Sequence, residues 1–193
     1  MIRVIDNFVN TAYYKEIENG VLTNFRWSWT SAISGGTSNL FGFSYELFDA
    51  GKSTSRFYEF LLPMFIQAKA ETTAKVLLRA RGDMTVVSGE QITYEPHIDM
   101  PRHKEHINMI FYIGDSDGDT IIYKEKFFPQ TPYAEPALPK TLTVEQQVTP
   151  KANRLVIFNG EHWHTGQSPK NHSRRVILNL NFAQNDYRMA LND

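Results

Sequence analysis

The stretch YEPHIDMPRH (94–103) places a histidine and an aspartate two residues apart, just after a proline. In an extended chain, residues i and i+2 project to the same side, so His97 and Asp99 can reach one ion together. An imidazole nitrogen and a carboxylate oxygen suit a divalent transition metal. Two ligands make a weak site, so a third is needed. The chain has no cysteine, which excludes disulfides, thiolate sites and cysteine nucleophiles and leaves His, Asp or Glu to hold any metal. The second dense histidine stretch, FNGEHWHTGQSP (158–169), offers His162 and His164, again two apart, where the apolar run RLVIF ends.

With either histidine, the set becomes two imidazoles and one carboxylate on one face of an ion. That arrangement leaves positions open for a co-substrate and O2, as in non-haem Fe(II) oxygenases. Taken separately, His-x-Asp reads more readily as a solvated turn, and a histidine beside Trp163 equally as a half-buried packing residue. A third stretch changes the balance. Arg174 and Arg175 head RRVILNLNF (174–182), whose alternation puts Arg175, Ile177, Asn179 and Asn181 on one face and Val176, Leu178, Leu180 and Phe182 on the other. An inward guanidinium needs an anion, because an unpaired buried charge is costly, and its planar fork fits a carboxylate. The plain alternative is an arginine snorkelling to a surface carboxylate.

These residues must be positioned by the elements around them. IRVIDNF (2–8) reads as a short strand. TAYYKEIEN (11–19) reads as a helix with Asn10 or Thr11 as N-cap and Gly20 as its stop. From Thr30 to Ser55, Ser and Gly mixed with Phe41, Phe43, Tyr45 and Phe48 suggest a long irregular segment able to act as a lid. Phe57, Leu61, Phe65 and Ala68 recur at helical spacing, with Pro63 as a kink. Beyond residue 75, short β-rich runs separated by turn residues predict a sandwich or barrel. Four prolines between Lys124 and Lys140 predict an extended excursion between strands. The expectation is one domain over residues 1–193, with helical support over about 1–75 and a β core over about 76–183.

The net charge of −1 gives no electrostatic case for nucleic acid or an anionic membrane, while leaving a local strand-binding groove open. No apolar run approaches the length needed to span a bilayer, and MIRVIDNFVN lacks the features of a signal peptide. A soluble cytoplasmic protein is expected, and exposed strand edges and aromatic loops permit a homodimer. His103, His106 and His172 are assigned to the surface.

The pattern resembles the 2-oxoglutarate- and Fe(II)-dependent oxygenases, and within them the prolyl-4-hydroxylase-like branch. YEPHID matches a Tyr-x-Pro-His-x-Asp segment. IFYIGDSDGDTIIY (110–123) resembles a strand, Gly-rich turn and following Thr (Gly118-Asp119-Thr120), NRLVIFNGEHWHTGQSP (153–169) a strand leading to His-x-Gly-x-x-Pro, and RRVILNLNF the strand of the co-substrate's basic residue. The resemblance covers about residues 76–183. It implies a double-stranded β-helix (jelly-roll) core and Fe(II) ligands His97, Asp99 and His164, with His164 preferred to His162. It further implies Arg175 as the anchor for 2-oxoglutarate, with Arg174 as fallback, and Tyr112 as a co-substrate hydrogen-bond partner or an interior aromatic. The implied reaction is hydroxylation by O2 of a small-molecule or peptide substrate, peptidyl proline first. A cupin-like metal-dependent isomerase or a non-catalytic metal-binding module on the same barrel are the rivals, and neither requires an inward arginine.

Overall fold

The computed structural model of the chain describes residues 2–31, 33, 41–131 and 135–185. In chain order the elements are β1 (Ile2–Ile5), α1 (Thr11–Asn24), β2 (Ser28–Thr30), β3 (Gly42–Asp49), β4 (Lys52–Ser53) and α2 (Phe57–Ala70). They continue with β5 (Val76–Val86), β6 (His106–Tyr112), β7 (Thr120–Lys126), β8 (Val144–Val148), β9 (Leu155–Asn159), β10 (His162–Gly166) and β11 (Arg174–Ala183). The large sheet runs β1-β9-β6-β11-β5-β3-β2, with β4 paired to β3, and the small sheet runs β10-β7-β8. Every strand pairing among the described residues is antiparallel. The fold is therefore mostly β with two N-terminal helices, as expected, and no described helix is long and apolar enough to cross a membrane.

Period-two alternation sorts the large sheet's side chains into two cores. Met109, Phe111, Leu155, Ile157, Leu178 and Leu180 pack with Ile17 and Val21 of α1 and Leu61, Met64 and Phe65 of α2. On the opposite face Ile110, Tyr112, Val156, Phe158 and Ile177 meet Ile122 and Val148 of the small sheet. The polar line of β11 opens towards this second, inter-sheet space. Leu180 is fully buried in the helix-facing core, so Leu180→Ala should cost about 2–5 kcal/mol of unfolding free energy, read from urea denaturation.

Four expectations change. Helix α1 is capped by Asn10, whose side chain accepts from Ala12 N–H at 2.9 Å, but it runs through Gly20 to Asn24. Gly20 is buried beside the Phe57 and Phe60 rings, and that packing outweighs its poor helix propensity. The aromatic segment forms β3 and β4 rather than an irregular run. A register shift between Glu46 and Phe48 breaks the alternation that would have betrayed the strand. Tyr45 stacks on Phe25 (4.3 Å) and Phe48 on Tyr58 (5.0 Å). The part of that segment at 32 and 34–40 lies outside the described residues, as do 132–134 of the proline-rich excursion, which begins only after β7 ends at Lys126.

The fourth change concerns His106, which is 1% exposed rather than at the surface. Its ring fills the space over Gly160, where any side chain would collide with it, and its Nδ1–H donates to the His103 carbonyl (2.9 Å). Burial lowers its pKa to about 4. A histidine held neutral by the fold contributes stability above its unfolded pKa of about 6.5, and that contribution is lost as pH falls towards the folded value. Between pH 7 and pH 4.5 this residue should therefore cost the protein roughly 2–3 kcal/mol. His106→Asn should flatten that part of the profile, which urea midpoints at the two pH values will show.

Candidate metal and co-substrate site

The two histidine stretches meet through backbone pairing. His97 N–H donates to the His164 carbonyl at 2.9 Å, and His164 N–H returns a bond to the His97 carbonyl at 3.2 Å. Thr93 pairs with Gln167 in the same sense, and Tyr94 N–H donates to the Gly166 carbonyl, so residues 93–97 lie along β10. The bridge sets the two imidazoles side by side, with centroids 4.6 Å apart. Asp99 turns back between them, its Oδ1 lying 3.5 Å from His97 Nε2 and its Oδ2 3.5 Å from His164 Nε2. One donor atom from each residue lies within 4.8 Å of the other two, a set that could hold a metal ion.

The surroundings prepare these atoms for a cation. His97 Nδ1 faces the Glu95 carbonyl (3.2 Å) and His164 Nδ1 the His162 carbonyl (3.0 Å). A carbonyl only accepts, so Nδ1 carries a proton on each ring and Nε2 is the atom turned to Asp99. The Asp99 side chain is 4% exposed. Arg79 Nη2 donates to its Oδ1 at 3.1 Å, while Asn179 and Asn181 donate to Oδ2 at 3.0 and 3.1 Å. Burial by itself pushes a carboxyl pKa up, but the histidine contacts and the Arg79 charge outweigh it and hold Asp99 well below the usual carboxylate range. A carboxylate and two imidazoles converging on one point fit a divalent transition metal.

His162 stays out of the cluster. A register shift between His162 and His164 separates their roles, and His162 Nδ1 is spent on the Tyr123 carbonyl at 2.7 Å. Arg175 is buried and lines the same cavity as His97 and His164. Its Nε donates to the Gly118 carbonyl and its Nη2 to Thr120 Oγ1, both at 2.7 Å. A Cβ at Gly118 would fall on the Gln167 carbonyl oxygen and Arg175 Cδ, so only glycine lets this turn close over the guanidinium. Arg174 is exposed and lines a separate groove with Glu18 and His172. Tyr112 is fully buried, 5.8 Å from the Arg175 guanidinium carbon, and its hydroxyl donates to Thr120 Oγ1 at 2.8 Å. Thr120 therefore accepts two bonds, which leaves its own O–H to donate into the cavity it lines beside Arg175.

Sequence reasoning missed Arg79 and gave Thr120 no role. The only available signal was alternation: Arg79, Arg81, Asp83 and Thr85 fall on one face of β5, paired in register with Asn181, Asn179, Ile177 and Arg175 of β11.

Residues 84–183, just over half the chain, match the 2OG-Fe(II) oxygenase superfamily. The chain belongs to that superfamily. The oxygenase shares its fold with SnoN, a non-haem alpha-ketoglutarate-dependent epimerase from nogalamycin biosynthesis (TM-score 0.67, 9% identity, 94% of this chain and 78% of that one). It is also similar to a Trichoplax adhaerens prolyl hydroxylase solved with a hypoxia-inducible-factor peptide fragment (0.64, 13%, 100% and 87%). A third is a Pseudomonas putida prolyl-4-hydroxylase (0.58, 14%, 96% and 93%). No curated protein matches the oxygenase by sequence. The family's cofactors are Fe(II) and 2-oxoglutarate, with O2 as oxidant, and the His97–Asp99–His164 donor set suits that metal.

Proposed function

We propose that the oxygenase hydroxylates a C–H bond of a small or peptide substrate, with His97, Asp99 and His164 as iron ligands and Arg175 as the co-substrate anchor. The overall reaction takes R–H, O2 and 2-oxoglutarate to R–OH, succinate and CO2. Iron bound at the three donors would supply the chemistry that activates O2 against 2-oxoglutarate. The protein supplies position and charge. Arg79, Asn179 and Asn181 hold the Asp99 carboxylate still. Arg175 and the Thr120 hydroxyl bind the far carboxylate of 2-oxoglutarate, a charge-assisted pairing in a cavity walled by Ile110 and Ile177.

The observation that carries this reading is the buried guanidinium of Arg175 in the same cavity as His97 and His164. A cupin-like isomerase or a bare metal-binding module has no use for it. Likeness to prolyl hydroxylases makes peptidyl proline the first substrate to test, followed by free amino acids, other small metabolites and nucleobases. The test is a succinate-release screen across those pools, with mass analysis of any substrate that stimulates release. A product heavier by one oxygen atom supports hydroxylation. A product of unchanged mass and inverted configuration would place the chemistry with epimerases such as SnoN.

A further inference from the structure

The binding of iron and 2-oxoglutarate leaves part of the cavity wall unexplained. Along β5 the inward residues run Arg79, Arg81, Asp83, Thr85, opposite Asn181, Asn179, Ile177 and Arg175 of β11. Arg79 serves Asp99 at the metal end, and Thr85 stands beside Arg175 at the co-substrate end. Arg81 and Asp83 lie between, both lining the cavity with His97 and His164. Asp83 is buried, and the Arg81 side chain is 28% exposed. They face each other, Arg81 Nη2 donating to Asp83 Oδ2 at 3.1 Å and Nε lying 2.8 Å from Oδ1. Arg81 Nε and Asp83 Oδ1 are both buried and make no hydrogen bond.

Such a pair is expensive to keep. Each ion loses water, and their mutual attraction repays this only when the remaining donors and acceptors are satisfied. Here they are not, which argues against a purely structural role and for a ligand that completes them. A neutral peptide segment offers a donor and an acceptor but no charge, so it cannot replace what each ion loses when the pair is drawn apart. A ligand bearing both signs can.

We propose that Arg81 and Asp83 form the receptor for the substrate's head group, and that the substrate is a free amino acid, its carboxylate on Arg81 and its ammonium on Asp83. This rests on the oxygenase reading above and selects, within it, the small-molecule arm over an internal residue of a peptide. Opposite charges one carbon apart on the ligand match opposite charges two residues apart on one face of a strand. The side chain is then left to extend towards the metal, and Arg175 stays committed to the co-substrate.

The test uses the whole chain loaded anaerobically with Fe(II) and 2-oxoglutarate, its loading read from the visible charge-transfer band. O2 is then admitted with each common L-amino acid, or with the N-acetyl amide of the same residue, and succinate is measured. At least one free amino acid should raise succinate release well above the substrate-free rate while its blocked form does not. Asp83→Asn should lower kcat/KM for that amino acid on the order of 100-fold, as expected for removing one partner of a buried charged contact. A loaded enzyme that no free amino acid stimulates, or that blocked residues stimulate equally well, overturns the proposal while leaving the oxygenase reading intact. Failure of the band to form overturns both.

Discussion

Asp99→Ala is expected to abolish 2-oxoglutarate turnover and to empty the metal site. The carboxylate is the only anionic donor among the three residues, and it sits between the two imidazoles with its position set by Arg79, Asn179 and Asn181. Changing a residue that merely supports a ligand costs roughly 10–100-fold in metal affinity, so loss of the ligand itself should exceed that range. The substitution also leaves the Arg79 charge beside the two imidazoles with no carboxylate to offset it, which further repels a cation. Metal content after loading with Fe(II) and dialysis, beside succinate release, measures both effects. The fold should survive, because Asp99 belongs to neither hydrophobic core, and an unchanged circular dichroism spectrum would show this. Retention of stoichiometric iron by the variant would remove Asp99 from the ligand set.

Arg175→Ala is expected to raise the 2-oxoglutarate requirement on the order of 100-fold while leaving iron binding in place, since truncating one side of a buried charge pair costs about 2–5 kcal/mol. Arg175→Lys should recover only part of this, because an ammonium keeps the charge but cannot reproduce the Nε bond to Gly118 and the Nη2 bond to Thr120 together. Arg174→Ala is the matched control. Its side chain is exposed, so KM for 2-oxoglutarate should not move. If Arg174→Ala raised that KM and Arg175→Ala did not, the anchor would be the other arginine.

Much of the site was legible because the chemistry it needs is rare in this chain. With no cysteine and six histidines, few residues could share a metal, and the two-residue spacings drew out both stretches that carry them. The alternation of RRVILNLNF likewise separated the core-facing residues of β11 from its polar line, and the structure places Val176, Leu178, Leu180 and Phe182 against the helices. The residues that hold Asp99 were harder to find. Arg79 is one charge in a run, RARGDMT, whose partner on β11 lies about a hundred positions away, and only pairing shows that the two strands share a face. His106 was misplaced for a related reason. A polar residue next to charged neighbours reads as exposed, yet the glycine that makes room for its ring is Gly160, on the turn after β9. Strand β3 escaped because its register shift destroys the local period, and helix α1 ran past Gly20 because a distant pair of aromatic rings needed a small residue there. In each case the deciding contact is far along the chain.

Convergence of His97, Asp99 and His164 on one iron, with 2-oxoglutarate beside it, is tested by an anaerobic titration of the purified protein with Fe(II), with and without 2-oxoglutarate, followed by visible absorbance. A charge-transfer band should appear only when both are present and should saturate at one iron per chain. No band at saturating 2-oxoglutarate, or a band that persists undiminished in Asp99→Ala, would contradict that convergence.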